Sequence, residues 1–281
     1  MMEVIICKYA GFCFGVERAM KLTMSTLENN TDAKISTFGP LIHNPQVVKM
    51  LETKGVTEIR SIDDASGTDI LIMPSHGAPK DLFQKCRDKN IRITDATCPF
   101  VRDVQNKVKD FISKKLQVVI IGDAAHTEIK GVVSWADNDC IVIGSEEDIE
   151  KYDFSGKEVG IVSQTTNNED YFEKLANAIV RRAKKAVVQN TICSATHNRQ
   201  ESAIALAKET ECMVIIGGKN SANTKRLYQL CKEANPRSYH IETADELKRE
   251  WFAGAKKAGL TAGASTPAWI ISSIAEKIKN F

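Results

Sequence analysis

Asp95-Ala96-Thr97-Cys98-Pro99 lies between the apolar alternation Ile91-Arg92-Ile93 and a run with helical spacing, Val101, Val104, Val108 and Phe111. A cysteine at that junction sits where a strand hands over to a helix N-terminus. Unpaired backbone N–H groups and the positive end of the helix dipole favour a thiolate there. The arrangement recurs twice. Glu3-Val4-Ile5-Ile6 leads through Gly11-Phe12-Cys13-Phe14-Gly15-Val16 into a helical pattern, and Ala186-Val187-Val188 leads through Thr191-Ile192-Cys193 into another. The three cysteines stand at near-even intervals of roughly ninety residues, which indicates three related α/β modules, each giving one thiolate to a shared centre. The expected modules span 14–97, 98–192 and 193–281, the third joined by the N-terminal strand within 1–13.

The chain has 281 residues, 43% hydrophobic and 26% charged, enough to bury sizeable cores in two or three domains. A formal charge of +2 from 38 basic and 36 acidic residues excludes a nucleic-acid-coating surface. The run Arg181-Arg182-Ala183-Lys184-Lys185 reads as the solvated face of a helix. The start, Met1-Met2-Glu3-Val4-Ile5-Ile6-Cys7, has no basic region ahead of its short apolar run, so no export signal is expected. Apolar runs such as Val118–Ile121 are far too short to span a membrane. A cytoplasmic protein follows, with its eight cysteines reduced and Cys7, Cys86, Cys140, Cys212 and Cys231 as inert packed thiols.

Short apolar strands alternate with helical patterns along the whole chain, which indicates parallel sheets covered on both faces. Ligands of such sheets bind at the carboxyl ends of the strands. Polar residues gather at those ends: His43, Ser75-His76-Gly77, His126-Thr127-Glu128, Gln164-Thr165-Thr166, Ser221, Asn223 and Ser265.

Three thiolates with an open coordination position suit a metal centre that leaves one site for substrate, either zinc or an iron–sulfur cluster. No close cysteine or histidine spacing selects between them. Imidazoles, hydroxyls and carboxamides at helix N-termini suit a small anion such as a diphosphate. Glycine-rich nucleotide motifs are absent, and no carboxylate cluster would hold magnesium. Glu128 is the one carboxylate among these loops. To donate a proton at neutral pH it needs desolvation or a hydrogen bond to the anion; otherwise it merely satisfies a helix dipole.

Gly11-Phe12-Cys13-Phe14-Gly15-Val16, His43-Asn44-Pro45, Ser75-His76-Gly77, Asp95-Ala96-Thr97-Cys98-Pro99, His126-Thr127-Glu128, Gln164-Thr165-Thr166, Ile192-Cys193-Ser194-Ala195-Thr196 with Asn198-Arg199-Gln200, Asn220-Ser221-Ala222-Asn223 and Gly263-Ala264-Ser265-Thr266-Pro267 together resemble the 4-hydroxy-3-methylbut-2-enyl diphosphate reductases, the LytB/IspH family. The resemblance covers nearly the whole chain in the family's order. It implies an α/β pseudo-threefold trefoil around one 4Fe-4S cluster held by Cys13, Cys98 and Cys193. It implies a diphosphate held by His43, His76, Ser221, Asn223 and Ser265 with His126 nearby, Thr165 supporting the substrate hydroxyl, and Glu128 delivering protons. The implied reaction is a two-electron reductive dehydration giving isopentenyl and dimethylallyl diphosphates, the last step of the non-mevalonate isoprenoid route. Reduced ferredoxin or flavodoxin would supply the electrons, to a monomer or weak dimer.

The chain departs from the family's pattern in places. Ala222 stands where many members carry a second serine, so a backbone N–H would replace one hydroxyl at the diphosphate. Trp269 stands where several members are acidic, and His197 beside Cys193 has no assigned role. Two rivals use the same thiolates: a zinc-dependent lyase or hydrolase, and a non-catalytic iron–sulfur carrier or sensor.

Overall fold

A computed structural model of the chain describes residues 2–219 and 221–281. After β1 (Glu3–Ile6) and α1 (Phe14–Asn29) come β2 (Ile35–Phe38), α2 (Pro45–Thr53), β3 (Thr57–Ile59), β4 (Ile70–Met73), α3 (Lys80–Asp88) and β5 (Arg92–Asp95). Then follow α4 (Pro99–Ser113), β6 (Gln117–Ile121), α5 (Thr127–Trp135), β7 (Cys140–Ile143), α6 (Glu146–Ile149), β8 (Glu158–Ser163), α7 (Glu169–Val180) and β9 (Lys185–Gln189). The chain continues with α8 (Ser194–Glu209), β10 (Cys212–Ile216), α9 (Ala222–Ala234), β11 (Ser238–Ile241), β12 (Lys257–Ala262) and α10 (Ala268–Lys279).

The strands form three four-stranded sheets, all parallel, ordered β3-β2-β4-β5, β7-β6-β8-β9 and β11-β10-β12-β1. Each follows one plan: the strand that opens the module (β2, β6 or β10) lies inside, its successor flanks it on one side, and the third and fourth strands lie on the other. The third sheet takes its fourth strand from the opposite end of the chain, β1 pairing with β12 from Glu3↔Lys257 to Ile6↔Leu260. The plan extends to single hydrogen bonds. A glycine follows each innermost strand, and its N–H reaches the last carbonyl of the neighbouring outer strand: Gly39 to Ile59, Gly122 to Ile143 and Gly217 to Ile241.

Strands β4 and β10 are buried along their whole length, because helices cover both sheet faces. The helical spacing after Cys98 is satisfied as well: Val101, Val104, Val108 and Phe111 all lie on the buried face of α4. Phe111 presses on β8 at Gly160, where an added Cβ would lie 2.3 to 2.8 Å from three ring atoms.

The chain divides into two compact units. One contains the N-terminal stretch through Glu17, Ile42–Thr53 and Ser194–Phe281, and with them the third sheet; the other contains Arg18–Leu41 and Lys54–Cys193, with the first two sheets. The connection α2, whose sequence joins two strands of the first sheet, thus belongs to the unit of the third.

One sequence expectation is corrected. The basic run from Arg181 to Lys185 is not a helix face: α7 ends at Val180, Arg181 caps it, and the run is the turn into β9. Its cations are solvent-exposed as expected and also pair with carboxylates, Arg182 with Glu150, and Lys184 and Lys185 with Glu158. Among the described residues no helix is long and apolar enough to cross a membrane, and no disulfide is formed. Cys7, Cys86, Cys212 and Cys231 are buried and Cys140 half-buried. Burial pushes the Cys140 and Cys212 thiols up to about 11 and Cys231 to about 12, so these three stay protonated and unreactive.

Gly160→Ala forces the new methyl into the Phe111 ring. It is expected to lower the unfolding free energy in a urea titration by about 1–3 kcal/mol, the usual cost of overpacking a core.

Candidate active site

What the three candidate cysteines share is the way each is held. Each follows the fourth strand of a sheet and precedes a helix, Cys98 standing as the N-cap of α4 with Pro99 at the first helical position. Each backbone N–H donates to the carbonyl two residues beyond the third strand of its sheet: Cys13 to Ala264 at 3.1 Å, Cys98 to Ser75 at 2.9 Å and Cys193 to Thr165 at 2.8 Å. All three are half-buried. A half-buried thiol at the start of a helix is reachable from outside. Among the described residues, no group of three or more histidine, cysteine, aspartate or glutamate side chains is gathered closely enough to hold a metal ion.

In the unit of the first two sheets, Glu128 and Thr165 meet where the order of the second sheet reverses, between the ends of β6 and β8. This is the position at which parallel α/β sheets take ligands. Glu128 is 3% exposed. Its two carboxylate oxygens accept the Thr165 N–H and the Thr165 hydroxyl, each at 2.7 Å. Burial pushes the Glu128 pKa up, and the two bonds from Thr165 oppose that only in part. His126 caps α5: its Nδ1 accepts the Glu128 N–H at 3.1 Å, which leaves the ring proton on Nε2 and makes the side chain a neutral donor. Thr165 also supplies the carbonyl that holds Cys193, so one residue carries both the carboxyl and the thiol. His76, half-buried, follows Ser75, the residue that holds Cys98.

In the other unit the loops past the carboxyl ends of β10 and β12 come together with the segment carrying His43. The Ser265 hydroxyl donates to the His43 carbonyl at 3.1 Å. A Cβ on Gly218 would lie 3.8 Å from that same carbonyl and 4.0 Å from the Ser221 Cβ. Ser221 caps α9, its oxygen accepting the Thr224 N–H, so its own proton remains available to donate. Asn223 lies half-buried in the first turn of α9, and burial lowers the His43 pKa. The side chain of Ala222 and the whole of Asn220 lie outside the described residues. An imidazole, hydroxyls and the amides of a helix N-terminus are groups of the kind that suit an anion.

Two residues quoted in the sequence motifs but given no role prove to organise these loops. Gln164 accepts the Asp123 N–H on Oε1 and donates to Thr166 from Nε2, tying the ends of β6 and β8 together. Gly122 is required for that approach, since a Cβ there would lie 2.9 Å from Gln164. Arg199, 3% exposed in α8, sends its guanidinium to the carbonyls of Tyr9 and Gly11. A buried arginine in a helix was the available signal, but the sequence alone does not say which face of α8 is buried. His197 pairs with Glu201 one turn on, at an exposed position.

The model of the LytB protein family matches residues 4–279. The chain is 42% identical over 277 residues to the 4-hydroxy-3-methylbut-2-enyl diphosphate reductase of Geobacter sp. (strain M21), covering 99% of this chain and 97% of that protein. It is 44% identical over 282 residues to the reductase of the same name from Aquifex aeolicus (strain VF5), covering 99% and 96%. Among solved structures, one of (E)-4-hydroxy-3-methyl-but-2-enyl diphosphate reductase, described as the terminal enzyme of the non-mevalonate pathway, matches with a TM-score of 0.77 at 43% identity, covering both chains completely. The E-1-hydroxy-2-methyl-but-2-enyl-4-diphosphate reductase of Plasmodium falciparum matches with a TM-score of 0.88 at 25% identity, over 99% of this chain and 87% of that one. With residues 4–279 matched by the family model and 99% of the chain covered by relatives of this identity, the chain belongs to the LytB protein family.

Proposed function

We propose that this chain catalyses the reaction for which its relatives are named, reducing (E)-4-hydroxy-3-methylbut-2-enyl diphosphate to isopentenyl and dimethylallyl diphosphates. The balance is two electrons and two protons in, and one water out. The observation that carries the chemistry is the buried Glu128–Thr165 pair: losing a hydroxyl as water needs an acid, and burial raises the proton affinity of this carboxyl.

The donor set suits a soft metal centre with an open position, because Cys13, Cys98 and Cys193 share one backbone anchor and one helix-terminal context. These three would hold a 4Fe-4S cluster, which when bound supplies electrons and Lewis acidity at the substrate hydroxyl. The remaining steps belong to the chain's own residues. With its proton on Oε2, Glu128 donates to the Thr165 oxygen, while the Thr165 N–H stays on Oε1. The Thr165 hydroxyl proton then points outward and can pass to the departing oxygen. His126, held neutral by its cap, donates from Nε2 to the anion without adding a charge. His43, His76, Ser221, Asn223 and Ser265 hold the diphosphate, with the amides at the start of α9 standing in at Ala222. Ser265 must turn its hydroxyl away from the His43 carbonyl to do so. Fixing the diphosphate converts an encounter into an oriented complex. A reduced ferredoxin or flavodoxin in the cytoplasm supplies the electrons.

Glu128→Gln is expected to bind iron and substrate as the parent does, and to lose roughly a hundredfold or more in kcat under a chemical reductant without air. Full turnover in that variant removes Glu128 from the mechanism. The same variant has a stability signature. Because the folded chain keeps a Glu128 proton that the unfolded chain releases near the ordinary glutamate value, parent stability falls as pH rises from that value to the raised folded one. Thermal melts of Glu128→Gln over that window should lack this share of the slope.

Cys98→Ser, purified and reconstituted anaerobically, is expected to lose most of its iron and acid-labile sulfide. Stoichiometric zinc in a colourless parent protein overturns the cluster and leaves the lyase or hydrolase reading in its place.

A further inference from the structure

The loops that deliver the three cysteines differ in one respect. Two are short and fastened from within: the Asp95 carboxylate accepts the Thr97 N–H at 3.0 Å just before Cys98, and the Asn190 side chain accepts the Ile192 N–H at 3.0 Å just before Cys193. In both, an Asp or Asn three positions ahead of the cysteine closes a turn on the backbone two residues on. The loop between β1 and Cys13 is longer and has Ala10 at that position, with neither Asp nor Asn anywhere between Cys7 and Cys13. It also passes through Gly11 at φ +95°, where a Cβ would lie 3.0 Å from the Ile271 Cδ1 and 3.2 Å from the Thr266 carbonyl.

This loop is fastened from outside. The buried Arg199 donates from Nε to the Tyr9 carbonyl at 2.9 Å and from Nη2 to the Gly11 carbonyl at 2.8 Å, bracketing Ala10. A planar guanidinium presents two donors in a fixed fork, so it can hold two carbonyls at a set spacing, whereas an ammonium is a single point. Burying that charge is costly unless it is fully bonded, which argues for a task that a packed apolar side chain could not do. Two neighbouring contacts, the Cys7 thiol on the Ser202 hydroxyl and the Ala10 N–H on the Cys7 carbonyl, both at 3.0 Å, lie at the far end of the loop; between Tyr9 and the Cys13 N–H, which is held by Ala264, the Tyr9 and Gly11 carbonyls are taken by Arg199.

We propose that Arg199 is a positioning residue for Cys13, replacing in this loop the side-chain turn that fixes Cys98 and Cys193 in theirs. The inference rests on the reading of Cys13 as a ligand only for its consequence; the positioning itself is testable without any metal. In the metal-free chain, Arg199→Lys and Arg199→Met should raise the alkylation rate of Cys13, followed by peptide mass spectrometry. The expected gain is roughly tenfold, the scale of one lost charge-assisted hydrogen bond, with Cys98 and Cys193 unchanged. Ser202→Ala should leave the Cys13 rate at the parent value. After anaerobic reconstitution, both Arg199 variants should hold less iron than the parent and give an altered electron paramagnetic resonance spectrum.

Should Arg199→Met fail to fold, Arg199→Lys, which keeps the buried charge, carries the test. A folded Arg199→Lys with parental Cys13 reactivity overturns the proposal, as does a rise shared equally by all three cysteines. A parent that takes up no iron overturns the cluster reading and leaves the labelling result standing.

Discussion

A single backbone hydrogen bond, made three times, sets where the chemistry can be. In each sheet the N–H of a cysteine past the fourth strand reaches the carbonyl two residues past the third. That bond can form only if the third and fourth strands are parallel neighbours ending at the same level, and so it depends on the sheet order the three modules share. It in turn places each thiol beside the loop that carries the polar groups. A fold built from parallel strands thereby brings its reactive side chains to one end of each sheet without any dedicated domain for them.

Burial is the second constraint, and it works differently in the two units. Around Glu128 it raises a proton affinity, because the two donors of Thr165 offset the lost water only in part. Around His43 it lowers one and keeps the ring neutral. A carboxyl that holds its proton more tightly than usual and an imidazole that gives its second proton up more readily both favour the uncharged form. That suits a polyanionic ligand whose own charge must stay balanced as a hydroxyl departs.

Much of this was legible in one dimension. The spacing Val101, Val104, Val108, Phe111 gave a helix because those four share a buried face, and the unbroken apolar runs of β6 and β10 gave strands covered on both sides. The strand–cysteine–helix order could be read because it is local. What escaped was non-local. The association of α2 with the third sheet's unit depends on contacts far along the chain, such as the Gln46 side chain on the Glu242 carbonyl. The run from Arg181 to Lys185 looks helical by composition, yet the backbone turns there into β9, the Lys184 N–H donating to the Lys157 carbonyl ahead of β8. Arg199 reads as an ordinary helix-surface charge until the loop it grips is in view.

The borrowed fourth strand of the third sheet has a kinetic consequence. β1 is synthesised first, but its partner β12 follows only after roughly 250 residues, a far longer loop to close than any within the first two sheets. During synthesis those two sheets can condense as their strands emerge, while β1 and its unpaired edge wait in an open chain. The lobe bearing Cys13 is therefore the last to mature on the ribosome, and assembly of any centre that needs all three sulfurs is postponed until translation has passed β12.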